Sequence, residues 1–268
     1  MTFDAFISAE RNGWHSRAEI YATHTAYATL QIVPAMLDAL GLRPGMRMLD
    51  VACGPGYVAG AAAALEMDVQ GIDYATGMIA AAQKRFPDLS FKVGDAEALP
   101  FADADFDAVA CNMGLFHMAD PLQAMREAGR VLRNGGRFSF SQWAAPGEST
   151  LYGLLFAALK ETADLSRADP APDAYVLSDV KVVQDMLSKA GFTDIKTTRL
   201  ETVLIAHGAD FFDFFMKFGV RVPLIVGAQN PDVQQRLRDR INADMAPFAT
   251  NKGFEVPMPS LLYTGTKK

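Results

Sequence analysis

Two cysteines and four histidines in 268 residues leave few routes to redox or metal chemistry. Cys53 and Cys111 stand far apart, so there is no disulfide framework, and a reducing, cytoplasmic setting is the expectation. No grouping of His, Cys and carboxylate has metal-ligand spacing, so no metal is expected. Basic residues are in deficit: 25 Lys and Arg against 31 Asp and Glu give a net charge of −6. A surface of that sign repels polyanions, and no basic patch offsets it, which argues against nucleic acid as a partner. No run approaches the ~18 apolar residues of a membrane span. The opening stretch has no basic segment followed by an apolar one, and its Asp4 and Glu10 are foreign to transit peptides. What is present is the balance of a soluble folded chain, 50% apolar and 21% charged, which excludes disorder, collagen and coiled coil.

From Gly45 onward, short apolar runs alternate with helical patterns, the sequence form of a parallel sheet covered by helices. The strands are expected at Met46 to Ala52, Val69 to Asp73, Leu89 to Gly94, Phe106 to Cys111 and Arg137 to Trp143. The helices between them are Ala-rich from Tyr57, capped by Thr76 and stopped by Pro87, and running from Pro121 to Asn134-Gly135-Gly136. The rhythm then breaks. A helix with Leu151, Leu155 and Leu159 on one stripe and a Pro/Asp/Ala loop look inserted, after which Ser178 caps a helix that stops at Gly191. Ile195 to Ile205 reads as a sixth strand and Ser260 to Lys267 as a last one. Between them, Phe211, Phe214, Phe215 and Phe218 fall at helical spacing, a face suited either to a core or to a pocket wall. The division that follows is a helical flap (1–44), a binding core (45–145), a cap insertion (146–177), completion of the core (178–206), a second cap segment (207–255) and a terminal strand (256–268).

The chemistry concentrates in LDVACGPGYVA, Leu49 to Ala59: a buried strand, an acidic residue near its end, Gly54 and Gly56, then a helix. Glycines in such a turn leave the amides at a helix N-terminus open to a ligand. Three acidic strand ends sharpen the reading, because Asp50, Asp73 and Asp95 all fall at carboxyl ends that face one crevice in a parallel sheet. A carboxylate after the second strand is placed to accept hydrogen bonds from a ribose diol, which assigns Asp73. Asp95 with the Ala96 backbone reaches a purine edge, Met78 and Ile79 cover its face, and Asp50 either holds an ammonium or caps the turn. A nucleoside bearing an ammonium and no phosphates fits this set. S-adenosylmethionine is such a ligand.

On these residues the chain resembles the class I S-adenosylmethionine-dependent methyltransferases, in the branch that includes the ubiquinone and menaquinone biosynthesis enzymes. The resemblance lies in LDVACGPG (49–56), GIDYATGMIAAA (71–82), GDAEALPF (94–101), FDAVACNMGLFHM (106–118) and REAGRVLRNGGRFSF (126–140). It implies a Rossmann-like α/β fold, a doubly wound seven-stranded sheet that is mostly parallel with an antiparallel last strand, under a helical substrate cap. It also implies that Ala52, Gly54 and Gly56 face the methionine part and that Asn112 and Met113 form the floor, with S-adenosylhomocysteine as product. The family often has Gly where Ala52 stands. His117 lies where the family often has a histidine close to the acceptor, open to a general-base role or to positioning. In the flap, Tyr21 and Tyr27 are assigned to the cofactor and His24 to the acceptor, with Phe116, Trp143, Phe211 and Phe215 completing the acceptor wall.

The expected function is methyl transfer to an O, N or C atom of a small, largely apolar metabolite such as a quinone, polyketide, terpenoid or aromatic, by a chain that is a candidate homodimer. Asn112-Met113-Gly114 lacks the Pro-Pro-aromatic signature of base-amino methyltransferases. Two alternatives stay open at this level. Gly54-x-Gly56-x-x-Ala59 with Asp73 also matches the dinucleotide pattern of an NAD(P)-dependent oxidoreductase, and some proteins of this fold use S-adenosylmethionine without methylating.

Overall fold

Side-chain alternation along the strand Arg47–Val51, β1, decides how the sheet is covered. Met48 packs on one face with Ala108 and Ala110, whereas Leu49 and Val51 pack on the other with Val109 and Cys111. The computed structural model describes residues 3–268. Its further strands are β2 (Asp68–Asp73), β3 (Ser90–Val93), β4 (Phe106–Cys111), β5 (Leu132–Trp143), β6 (Phe192–Leu200), β7 (Val203–His207), β8 (Ala249–Thr250), β9 (Gly253–Pro257) and β10 (Ser260–Lys267). The helices are α1 (Asp4–Arg17), α2 (Ala26–Thr29), α3 (Val33–Leu40), α4 (Tyr57–Ala63), α5 (Thr76–Arg85), α6 (Pro121–Val131), α7 (Thr150–Thr162), α8 (Val180–Lys189), α9 (Phe211–Phe218), α10 (Arg221–Gly227) and α11 (Pro231–Met245).

The main sheet has seven strands in the order β3-β2-β1-β4-β5-β10-β6, with β10 antiparallel to both neighbours, as the resemblance implies. β1 is parallel to β2 on one side and to β4 on the other, so the strand order reverses beside it and the ends of these strands open on one crevice. Helices α6 and α8 cover one face. The other carries α3, α4 and α5, and its core runs without a break into α7, α9 and α11 of the cap.

Several boundaries differ from the sequence reading, each for a local reason. The helix from Pro121 ends at Val131, because Leu132 already pairs with Phe106; Asn134-Gly135-Gly136 forms a bulge inside β5 instead, with Gly135 at φ +80°. Thr76 is the first residue of α5 and does not cap it, and α8 is capped by Asp179 rather than Ser178, through the amides of Lys181 and Val182. The run Ile195 to Ile205 is two strands. Leu200 pairs with Ser260 in the main sheet and Val203 with Pro257 in a second sheet of order β7-β9-β8. The switch falls at one level, where Met258 N bonds the Thr202 carbonyl at 2.9 Å, flanked by Pro257 and Pro259, which have no N–H to donate. The first 44 residues are not flap throughout: α3 packs against β4, β5 and β10 as part of the sheet's cover.

Gly253 begins β9 at φ +144°, and a Cβ there would stand 2.0 Å from the carbonyl oxygen of Ala206. Gly253→Ala is therefore expected to cost at least about 2 kcal/mol in urea unfolding. Gly227→Ala, at a position where a Cβ meets nothing within 4 Å, should stay within about 0.5 kcal/mol of the parent.

Candidate active site

The two acidic strand ends of the first βαβ unit bind backbone amides of the loops beside them. Asp73 is buried, and its two carboxylate oxygens accept from Gly54 N at 2.9 Å and Ala75 N at 2.8 Å, tying the β1–α4 turn to the β2–α5 turn. Asp50 accepts from Ala59 N at 3.0 Å with one oxygen; the other, Oδ1, is buried without a partner beside a small cavity. Burial pushes Asp50 up to about 8, against the pull of the Ala59 amide, and Asp73 up to about 6, against the amides of Ala75 and Gly54. Ala52 sits between them at φ +52°, a conformation that glycine takes without strain. Asp95 is exposed and folds back on Glu97 N at 2.9 Å.

These loops open into a cavity of about 570 Å³, within the usual range for ligand pockets. Ala52, Gly54, Asp73, Met78, Asp95, Ala96 and Tyr21 line one end. The floor is Asn112-Met113, pinned from β5: Ser141 Oγ donates to Asn112 Oδ1 at 2.7 Å and accepts from Met113 N at 2.9 Å. Asn112 Nδ2 also donates to the Thr29 carbonyl at 3.1 Å, which holds α2 over the floor. The far end is walled by Phe116, Trp143, Tyr152, Phe156, Phe215 and Phe218, with cap residues 171–175 and α10 above.

His117 lies on the wall between the two ends. Its Nδ1 stands 2.8 Å from Oε2 of Glu10, a carboxylate on α1 with no solvent exposure. Trp14 Nε1 donates to the same oxygen at 3.0 Å, and Arg221 Nε lies 3.9 Å from Oε1. Arg221 also donates to the carbonyls of Pro172 at 2.9 Å and Phe116 at 3.2 Å, joining the cap to the loop that carries His117. Burial alone would raise Glu10, but the imidazole of His117 and the Arg221 guanidinium hold it below the usual carboxylate range.

Most residues expected at the site converge on these two cavities. Five of the expected residues lie away from them. Gly56 lines neither cavity: at φ +80° it turns the chain into α4, and a Cβ there would strike Phe91 at 2.8 Å. Tyr27 packs edge-on against His207 instead of facing the crevice, and His24 stacks on Phe214 at 4.7 Å. Phe211 belongs to the core, between Phe215 and Phe254. Ile79 is likewise buried in the core, leaving Met78 alone on the cavity. Cys53 and Cys111 are free and pack on opposite faces of the sheet. Sequence reasoning passed over Glu10, Tyr74 and Arg221. A signal for the first existed in Phe6, Glu10 and Trp14 at i, i+4, i+8, one carboxylate in an otherwise apolar stripe.

Residues 49–140 match the family described as a methyltransferase domain. The chain is 33% identical over 181 residues to the demethylmenaquinone methyltransferase of Renibacterium salmoninarum, a match covering 64% of this chain and 76% of that one. It is 41% identical over 162 residues to the demethylmenaquinone methyltransferase of Beutenbergia cavernae, covering 58% and 67% respectively. Among solved structures, the YcgJ protein of Bacillus subtilis shares the fold with a TM-score of 0.63 at 20% identity, over 88% of this chain and 97% of that one.

The raised carboxyl of Asp50 has a consequence for the ligand-free protein. A folded value near 8 against an ordinary 3.8 means that the native state holds a proton the unfolded chain has released. Stability should therefore fall as pH rises toward about 8, by on the order of 1 kcal/mol per unit from this group, and level off above it. Asp50→Asn should flatten that decline when urea midpoints are compared at pH 6, 7 and 8. An equally steep decline in the variant would place the proton elsewhere.

Proposed function

The chain belongs to the class I S-adenosylmethionine-dependent methyltransferases, in the branch of the menaquinone and ubiquinone biosynthesis enzymes, and on that premise we propose that its acceptor is a flat, largely apolar ring bearing an ionisable hydroxyl, of the quinol type. It is an enzyme that methylates a small molecule with S-adenosylmethionine, so the oxidoreductase alternative is set aside. The observation that carries the acceptor reading is the aromatic far end of the cavity with a single imidazole on its wall. The demethylmenaquinone methyltransferases among its relatives point the same way.

The acid-lined end suits the cofactor's chemistry. A buried carboxylate oxygen with no partner is unfavourable unless a donor or cation meets it, and Asp50 Oδ1 is such an atom. In our reading Asp50 takes the amino group, the backbone of the Ala52–Gly54 turn faces the methionine part, and Asp73 takes the ribose hydroxyls. Asp95 and the Ala96 amide meet the adenine edge, Met78 covers its face, and Tyr21 closes the near side above Asn112-Met113. When bound, the cofactor supplies an electrophilic methyl group on a positively charged sulfur.

The protein's own work is then alignment, exclusion of water and handling of one proton. Holding two reactants in line supplies on the order of 7 to 11 kcal/mol of a barrier. Phe116, Trp143, Phe215 and Phe218 hold a ring by area and keep the space poor in water, which strengthens attraction between an acceptor anion and a cationic donor. His117 takes the hydroxyl proton, leaving the electron pair on the acceptor oxygen and, through the ring, on the carbon beside it.

Incubation with S-adenosylmethionine and a panel of hydroxynaphthalenes, benzoquinols, amines and carboxylic acids, read by mass spectrometry, tests this assignment. Products heavier by one methyl, with stoichiometric S-adenosylhomocysteine, are expected from the hydroxylated rings. Turnover confined to amines or carboxylic acids would overturn it. Asp73→Ala should weaken cofactor binding at least tenfold in calorimetry, since charge-assisted hydrogen bonds contribute roughly 1.5 to 3 kcal/mol each. Unchanged affinity would remove Asp73 from the site.

A further inference from the structure

Three buried polar atoms without hydrogen-bond partners lie about one carboxylate, that of Glu10, whose own Oε1 is likewise without one: Nδ1 of His117, Nε of Arg221 and the hydroxyl of Tyr74. Native interiors rarely leave such atoms unsatisfied, and a cluster of them on a cavity wall marks a polar arrangement held for use rather than for packing. They come from separate parts of the chain. Glu10 stands on α1, Tyr74 follows β2, His117 follows β4 and Arg221 opens α10. Glu10 is the centre, with Trp14 Nε1 and His117 Nδ1 on one oxygen and Arg221 Nε nearest the other. The His117 contact spans 2.8 Å.

We propose that Glu10 is the positioning residue of the reaction: it orients His117 through Nδ1, so that Nε2 meets the acceptor, and balances the positive charge the imidazole gains on taking the acceptor's proton. The inference rests on the reading of His117 as the group that accepts that proton. In the step itself, the acceptor's O–H bond breaks, its electron pair stays on oxygen, and the proton joins the Nε2 lone pair. The imidazolium then faces the Glu10 carboxylate across the Nδ1 contact. A carboxylate behind an imidazole fixes its tautomer and strengthens it as a base, the same physical arrangement found in Ser-His-Asp triads. The charges that face His117 are Glu10 from α1, Arg221 from α10 and Asp73 from β2, with Tyr74 beside them. Among these Glu10 is in direct contact and wholly buried, so its charge is the least screened.

The test is Glu10→Gln, which keeps size and an acceptor for Trp14 and removes the charge. Loss of the neighbouring carboxylate leaves the charge gained by the ring unbalanced, so the effect should fall on turnover and not on binding: kcat should drop about 10- to 100-fold. Affinity for S-adenosylmethionine and KM for the acceptor should stay within about twofold. Glu10→Asp, which keeps the charge one methylene further away, should restore part of kcat; it also serves if the Gln variant does not fold. A kcat unmoved in both variants, with His117→Asn inactive, would overturn the role of Glu10 while leaving His117 as the base. A fully active His117→Asn would overturn both.

Discussion

The carboxylate of Asp73 is the contact on which the site depends. It is buried at the end of β2 and grips the amides of Gly54 and Ala75, so the turns after β1 and β2 move as one piece. An unliganded carboxylate in that position is costly to ionise, which is why it stands at about 6 and its neighbour Asp50 at about 8. The same unfavourable burial makes the pair receptive. On the proposed assignment, a ligand that brings hydroxyl donors and positive charge relieves both groups at once.

Strand order turns this local fact into a binding site. Because β1 pairs in parallel with β2 and β4, Asp50, Asp73 and Asn112 emerge side by side, and Ser141 on β5 locks the last of them. The backbone is tight there. Ala52 and Met113 both hold positive φ, at 52° and 57°, and a Cβ on Gly114 would stand 2.6 Å from that of Ala52. Strain of about 1 to 3 kcal/mol at such positions is tolerated when the surrounding contacts over-determine them. Here Cys53 N on the Ile72 carbonyl and Ser141 on Met113 do so.

This half of the molecule was legible in the sequence because its determinants are local. Strand periods, Gly54 and the acidic strand ends are read within a few residues, and the parallel topology then places them together. The far half was not, since its contacts join residues remote in the chain. Arg221 reaches Pro172 and Phe116, and Glu10 reaches His117; no spacing rule connects those positions. Tyr27 and His24 failed for a related reason. A flap helix places residues all round its axis, and only packing against β7 and α9 decides which of them face the crevice. Phe211 and Phe215 share one stripe, yet only Phe215 reaches the cavity, because the neighbouring Phe254 seals Phe211 into the core.

Helix α1 gives the two halves a common closure. At its end, His15 Nδ1 accepts from Gly77 N at 3.0 Å and lies 3.0 Å from Thr76 Oγ1, which satisfies the first turn of α5 in the absence of a side-chain cap. The approach is close enough that a Cβ on Gly77 would stand 2.5 Å from the His15 carbonyl, so the helix seats there only because the position is glycine. Earlier along the same helix, Glu10 meets His117, and Trp14, next to His15, packs edge-on with the imidazole at 5.2 Å. A rigid helix fixed at its C-terminal end by the loop beside Asp73 therefore presents its carboxylate to His117 at a set distance. Order in the loop beside Asp73 and order in the Glu10–His117 pair become one mechanical condition.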